Sequence, residues 1–194
     1  MTLLLSMAAF ALASSISPGP VNIVALTAGA QFGLRAAMRH VSGATIGFTV
    51  LLLLIGLGLS EVLSRWSWLT ESIRLAGVAF LLYMAYRLAS DDGRLSTRAT
   101  LQPTMLYGAM MQWLNPKAWL ASVAGMGLFA TAGDAPSVWR FAVIYFVICY
   151  ASLACWAYAG SFLRHYLGNA ARLRLFNRIM AALLVGCAAY LLLS

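Results

Sequence analysis

From residue 2 to residue 34 the chain carries no charged side chain. About 20 apolar residues suffice to cross the hydrocarbon core of a bilayer as a helix, so this stretch alone commits the chain to a membrane. Five further apolar runs follow. The expected helices are about Leu3–Ala28, Val41–Ser60, Ile73–Leu88, Thr104–Ala130, Trp139–Leu163 and Leu175–Leu193. Of the 194 residues 62% are hydrophobic and 9% charged, against roughly 25% charged in a soluble domain. The longest polar stretch, Ser90 to Pro103, is of loop length. The expected fold is all-α: a polytopic membrane protein of six transmembrane helices, with residues 1–194 forming one transmembrane domain. The first segment exceeds the length of a signal-peptide core and lacks a basic leader, so it is expected to stay attached.

The net charge of +8 falls in short loops between apolar runs. It therefore concerns orientation and anionic lipid headgroups. No basic run with interleaved aromatics points to nucleic acid. Loops one, three and five hold Arg35, Arg39, Arg87, Arg94, Arg98, Arg164, Arg172, Arg174 and Arg178, which is nine, against three (Arg65, Arg74, Arg140) in loops two and four. Basic loops stay in the cytoplasm, so both termini are expected outside. Trp66 and Trp68 suit an interfacial aromatic belt. Cys149, Cys155 and Cys187 lie inside apolar runs without a CxxC, and read as small buried thiols rather than a disulfide or metal site. No metal or cofactor is implied.

Two of the apolar runs are interrupted. The first contains Ser17-Pro18-Gly19-Pro20 followed by Asn22; the fourth contains Leu114-Asn115-Pro116-Lys117. Proline removes a backbone donor and breaks or kinks a helix, and Asn115 can bond the groups so freed. Lys117 is the one charge between Met105 and Leu128. A lysine at bilayer depth costs about 2.5–3.5 kcal/mol on insertion scales, and such a residue is by default a functional-site hypothesis. The polar loop divides the chain near residue 97 into halves of three helices. An odd number of crossings makes the second half enter from the opposite side. The expected architecture is two inverted three-helix repeats, about 1–96 and 97–194, each opening with a broken helix. Interrupted segments at corresponding positions of two halves point to a transporter binding site.

At these residues the chain resembles the lysine-exporter superfamily, in particular its homoserine/threonine-efflux branch. The shared motifs are Ser17-Pro18-Gly19-Pro20 and Asn115-Pro116-Lys117-Ala118. Gly33 with Arg35, Gly43 and Gly47, and Gly77 with Tyr83 are further points of likeness. The chain departs from the family pattern at Ala37 and at Ala124-Gly125-Met126-Gly127. The resemblance implies a multi-pass protein of the bacterial inner membrane that exports amino acids or close derivatives, driven by the proton gradient, and not an enzyme.

The residues fit an amino-acid substrate. A half-helix that starts at a break presents free N–H groups and a positive dipole end, which favour an anion. One of the segments after Pro20 and Pro116, with Lys117, is expected to hold the substrate carboxylate. The substrate ammonium would meet carbonyls freed near Ser17 or Asn115, with Ser14, Ser15, Asn22 and Gln112 as further polar partners. The expected binding set is Ser17, Pro18, Gly19, Pro20, Asn22, Gln112, Asn115, Pro116 and Lys117. All five acidic residues read as loop residues. That leaves Lys117 as the candidate proton-coupling group, since desolvation disfavours its charged form. His40 and His165 read as interfacial. The same shortage of acids disfavours cationic substrates, so small neutral ones such as threonine, homoserine, cysteine or O-acetylserine remain. Two other readings stand beside transport: an intramembrane hydrolase with Ser17 as nucleophile and Lys117 as base, and a non-catalytic membrane subunit. No GxxxxGK[ST] loop supports nucleotide-driven transport. The glycine faces of the second helix allow a homodimer.

Overall fold

The computed structural model describes residues 2–59, 67–90, 104–130, 134–167 and 169–193. The described residues form eight helices and no strand: α1 Thr2–Ile16, α2 Pro20–Phe32, α3 Leu34–Leu54, α4 Ser67–Ala89, α5 Met105–Trp113, α6 Pro116–Phe129, α7 Ala135–Leu163 and α8 Ala170–Leu193, with a π turn Ile55–Leu59 closing α3. They fall on the six expected runs, the first and fourth each divided at its proline break. Trp66, Asp91, Asp92, Arg94 and Arg98, and the Arg74 side chain, lie outside the described residues.

Local chemistry sets the starts. Pro20 and Pro116 occupy the first turns of α2 and α6, where a missing N–H costs nothing. Thr104, Asn115 and Asp134 cap α5, α6 and α7 by accepting from the amides of Tyr107, Lys117 and Ser137. The expected loop Gln31–His40 is a single residue. Gly33, at φ 82°, reverses the chain between α2 and α3, a conformation that a residue without Cβ adopts readily. Helix α3 therefore starts at Leu34, with Arg35 and Arg39 on its exposed face and Ala37, His40 and Val41 on its buried one. Helix α4 likewise begins earlier than expected, so Glu71 sits on its exposed surface and not in a loop.

Leu5, Leu106, Leu120, Leu128 and Tyr190 all point outward, each more than half exposed. An apolar surface of that kind belongs in lipid. Three helical stretches are long and apolar enough to cross a membrane, Leu34–Leu59, Ala135–Leu163 and Ala170–Tyr190; the pair α1 and α2, bent by 61°, makes a fourth if taken as one crossing.

Helix α2 is the centre of the molecule, buried from Pro20 to Ala30. It lies along α7, while α5 lies along α3 and α4 along α8. Glycines permit this closeness. A Cβ on Gly29 would meet the Ala157 carbonyl and one on Gly160 the Leu26 carbonyl; on Gly43 it would meet Met105 and on Gly108 the His40 carbonyl. A Cβ on Gly47 would come within 2.7 Å of the Ala109 Cα. The Gly43–Gly47 face is thus consumed within the protomer and is not free to join two copies. Helix α1 packs on α7 as α5 packs on α3, and α3 packs on α7. Exchanging the two halves of the chain turns the first of these pairs into the second.

Candidate functional site

A helix end leaves carbonyls without intrahelical partners, and inside a membrane each needs another donor. At the end of α1 those from Ser14 to Pro18 are met. The Ser14 carbonyl accepts from Ser17 Oγ (3.2 Å), that of Ser15 from Asn22 Nδ2 (2.8 Å) and that of Ile16 from Trp156 Nε1 (3.1 Å). The Ser17 and Pro18 carbonyls accept from Lys117 Nζ, at 2.7 and 3.4 Å, and Nζ also donates to Ser17 Oγ at 2.8 Å. The lysine of the second break thus closes the first. Gly19 makes room for it: a Cβ there would lie 3.2 Å from Lys117 Cδ and 3.3 Å from Nζ.

The two half-helices that follow the breaks differ. Helix α6 is capped: Asn115 Oδ1 accepts from the Lys117 amide (3.2 Å) and the Asn115 carbonyl from the Ala118 amide (2.8 Å). Helix α2 has Gly19 at its N-cap and no side chain capping it. Its first bond is Ile23 N–H to the Gly19 carbonyl (3.0 Å), and Pro20 has no N–H. The amides of Val21 and Asn22 are the orphan donors of this terminus.

Val21 and Asn22 line a cavity with Ser14, Ser15, Phe48, Gln112, Asn115, Lys117, Ala118, Ala121, Tyr145, Cys149 and Leu153. Phe48 and Cys149 stand near the middle of α3 and α7, which places the cavity about halfway along these two helices. Its volume is about 30 Å³, room for water and not for an amino acid. On one side rings close it. Phe48 stacks on Tyr145 (4.4 Å between centroids), Tyr145 meets Phe141 edge-on (5.6 Å), and Phe141 leads to Phe129 (5.1 Å) and Phe10 (6.1 Å).

The sequence-expected residues are brought together, with a division of labour. Asn22, Gln112, Asn115 and Lys117 line the cavity; Ser17, Pro18, Gly19, Pro20 and Pro116 shape the breaks beside it. Asn115 Nδ2 reaches Gln112 Oε1 at 3.4 Å. The carbonyls near Ser17 and Asn115, expected to meet the substrate ammonium, have donors in this structure, from Lys117 and from the start of α6. Sequence reasoning missed Phe48, Tyr145, Cys149 and Trp156, which are ordinary residues of apolar helices until α3 and α7 are placed against the breaks. Of the thiols Cys149 is buried, Cys187 half-buried and Cys155 exposed. His40, expected at an interface, is fully buried.

Residues 12–194 match the family model described as LysE type translocator. A cysteine/O-acetylserine efflux protein of Klebsiella pneumoniae is 29% identical over 194 residues, covering 96% of this chain and 95% of that one. Proteins of the same name from Salmonella choleraesuis (28% identical, 92% of each chain) and Escherichia coli (26% identical, 96% of each) are also similar. No solved structure matches the chain.

Proposed function

The chain belongs to the LysE type translocator family, a family of membrane transporters of amino acids, and on that premise we propose that it exports small neutral amino acids or their O-acyl derivatives from the cytoplasm by proton antiport. In this reading all six apolar runs cross the inner membrane, both termini face outward, and the two halves form inverted repeats. The arginine count by loop and the exchange of the α1–α7 and α5–α3 pairs support it.

One observation carries the substrate site: Lys117 Nζ stands beside the uncapped start of α2, on a cavity halfway through the helices. A carboxylate there takes two backbone N–H donors, the positive end of α2 and an ammonium. To accept it, Lys117 releases the Ser17 and Pro18 carbonyls, and the end of α1 loses its latch. Substrate binding and movement of the broken helix are then one event, the kind of differential contact that a conformational change requires. No acidic side chain lines the cavity, which disfavours lysine and arginine. The names of the relatives make cysteine and O-acetylserine the first substrates to try.

The 2.8 Å contact of Lys117 Nζ with Ser17 Oγ also has the form of a Ser–Lys hydrolase pair. The other bond of the hydroxyl argues against it. Ser17 Oγ donates its one hydrogen to the Ser14 carbonyl, so toward Nζ it is an acceptor, the reverse of what a general base needs. The deciding experiment uses purified protein in liposomes. Exchange of labelled for unlabelled O-acetylserine, present in the wild type and absent in Lys117→Ala at equal membrane insertion, supports export. Release of free acetate by the wild type supports the hydrolase. Exchange that survives in Lys117→Ala moves the carboxylate site elsewhere.

A further inference from the structure

Proton antiport needs a group that takes up and gives back a proton inside the membrane. Among the described residues no carboxylate is buried within a span: Glu71 is exposed on α4, and Asp134 caps α7 at its end. Lys117 is held by three acceptors. Among the described residues, His40 on α3 is a second buried group able to bind a proton.

His40 is fully buried, and its ring nitrogens make no well-formed hydrogen bond among the described residues, the one group within reach being the Val21 backbone. Burying an unpaired polar group is costly, and native proteins seldom tolerate one without a use for it. A second unpartnered group faces it. The Tyr107 hydroxyl on α5 is also buried without a partner, and the two rings are 6.2 Å apart. Gly108, against the His40 carbonyl, lets α5 come this close. The backbone of Val21 is within hydrogen-bonding reach of the imidazole, and Val21 is a wall of the cavity. The helical rise puts His40 roughly 12 Å along α3 from Phe48, toward the Arg35 and Arg39 end.

We infer that His40, with Tyr107 beside it, is the proton-carrying site of this transporter, lying between the substrate cavity and the cytoplasm. The inference rests on the antiport reading above and gives it its missing group. Histidine binds and releases a proton at a ring nitrogen. A ring nitrogen takes up one proton to form the imidazolium, and returns the same proton to the cytoplasmic side. The charged and titratable groups around it fit this path. Helix α5 presents Tyr107; α2 carries no titratable side chain. Helices α6 and α7 bring Lys117, Tyr145 and Cys149 at the cavity. On α3 itself, Arg35 and Arg39 are on the exposed face. Beyond Tyr107 stand Tyr83 and Arg87 of α4, the Arg87 guanidinium donating to the Tyr83 hydroxyl at 3.0 Å. Protonation of His40 changes the charge beside Val21, one of the residues proposed to seat the substrate carboxylate, and so couples the two sites.

The test uses full-length protein in liposomes with O-acetylserine as probe and a pH dye inside. In the wild type, a pH gradient drives net substrate movement with a matching proton flux. In His40→Gln, gradient-driven movement falls to the rate without a gradient, while substrate exchange at equal pH persists. Tyr107→Phe keeps the ring and weakens the gradient-driven rate in the same direction. Lys117→Gln loses exchange and gradient drive together. Gradient-driven movement at the wild-type rate in His40→Gln overturns the inference, as does loss of exchange and drive alike, which makes His40 structural. If His40→Gln does not fold, the wild type decides: substrate movement without a proton flux overturns the inference. A wild type that fails even to exchange substrate removes the transporter reading itself, a result separate from the others.

Discussion

Gly19→Ala isolates the cradle of Lys117 from the conformation of the break. Gly19 has φ −170° and ψ 174°, an extended backbone open to any residue and the one favoured before proline. Alanine therefore brings no backbone strain, and in the unfolded chain it costs less freedom than glycine, which adds roughly 0.4–1 kcal/mol of stability. Its Cβ, however, would stand 3.2 Å from Lys117 Cδ, where carbon atoms prefer about 3.5–4.0 Å. The lysine tip retreats by about 0.3 Å or more. The contact with the Pro18 carbonyl, already 3.4 Å, is then lost, and a carboxylate meets an ammonium pushed aside. Hydrogen bonds to charged groups contribute about 1.5–3 kcal/mol. Losing one at the low end corresponds to about tenfold in affinity. The assay is concentration-dependent exchange of O-acetylserine in liposomes, with thermal unfolding in detergent as the control. The expected outcome is a right-shifted saturation curve at equal or higher melting temperature. An unshifted curve, beside an inactive Lys117→Ala, would refute the claim that Gly19 is there to seat the lysine.

Other outcomes follow from the same geometry. Lys117→Arg keeps the charge, but a planar fork does not reproduce a point donor facing three acceptors; exchange should fall well below wild type, read as initial rate at saturating substrate. Asn115→Ala removes the α6 cap and should lower stability by about 1 kcal/mol, with Asn115→Asp largely restoring it, measured by thermal unfolding. Gly160→Leu drives a side chain into the Leu26 carbonyl and should cost several times the 1–3 kcal/mol of ordinary overpacking, seen as loss of a monodisperse peak in size exclusion. Trp156→Phe strips the Ile16 carbonyl of its donor and should destabilise by about 1–3 kcal/mol, without the tenfold affinity loss expected of Gly19→Ala.

The breaks, the lysine and their convergence were legible because they violate the rules of an apolar helix: proline, asparagine and one charge stand where only hydrocarbon belongs. What completes the site obeys those rules and left no mark. Trp156, Phe48, Tyr145 and Cys149 are acceptable anywhere on a membrane helix, and only the packing of α3 and α7 on the breaks gives them a role. The turn at Gly33 was hidden for another reason. Polar residues around it, Gln31, Arg35, Arg39 and His40, read as a loop, although Arg35 and Arg39 are four apart and share one helix face. That spacing was the available signal, and it carries His40 with it: once α3 begins at Leu34, His40 falls on the buried face with Ala37 and Val41. The partners of the freed carbonyls could not be read at all, since Ser15 is met from within its own break and Ser17 from the other half of the chain.

The contrast between the breaks leads to a last prediction. Both carry a proline at the start of the second half-helix, but Asn115 caps α6 and Gly19 leaves α2 open. Capping α2 would satisfy its amides and strengthen the helix, so an open terminus at the buried centre of the protein has to be explained by something it does. If those amides hold the substrate carboxylate, a cap competes with substrate. Gly19→Ser tests this against Gly19→Ala, since the two share the Cβ that crowds Lys117 and differ by one hydroxyl. A serine at an N-cap stabilises a helix by about 0.5–2 kcal/mol relative to alanine. Gly19→Ser should therefore melt higher than Gly19→Ala and yet bind O-acetylserine more weakly. Substrate must displace the hydroxyl, so the two differences should be of similar size and opposite sign. If both variants have the same affinity while serine still raises the melting temperature, the amides of Val21 and Asn22 do not touch substrate. Lys117 would then hold the carboxylate without help from α2.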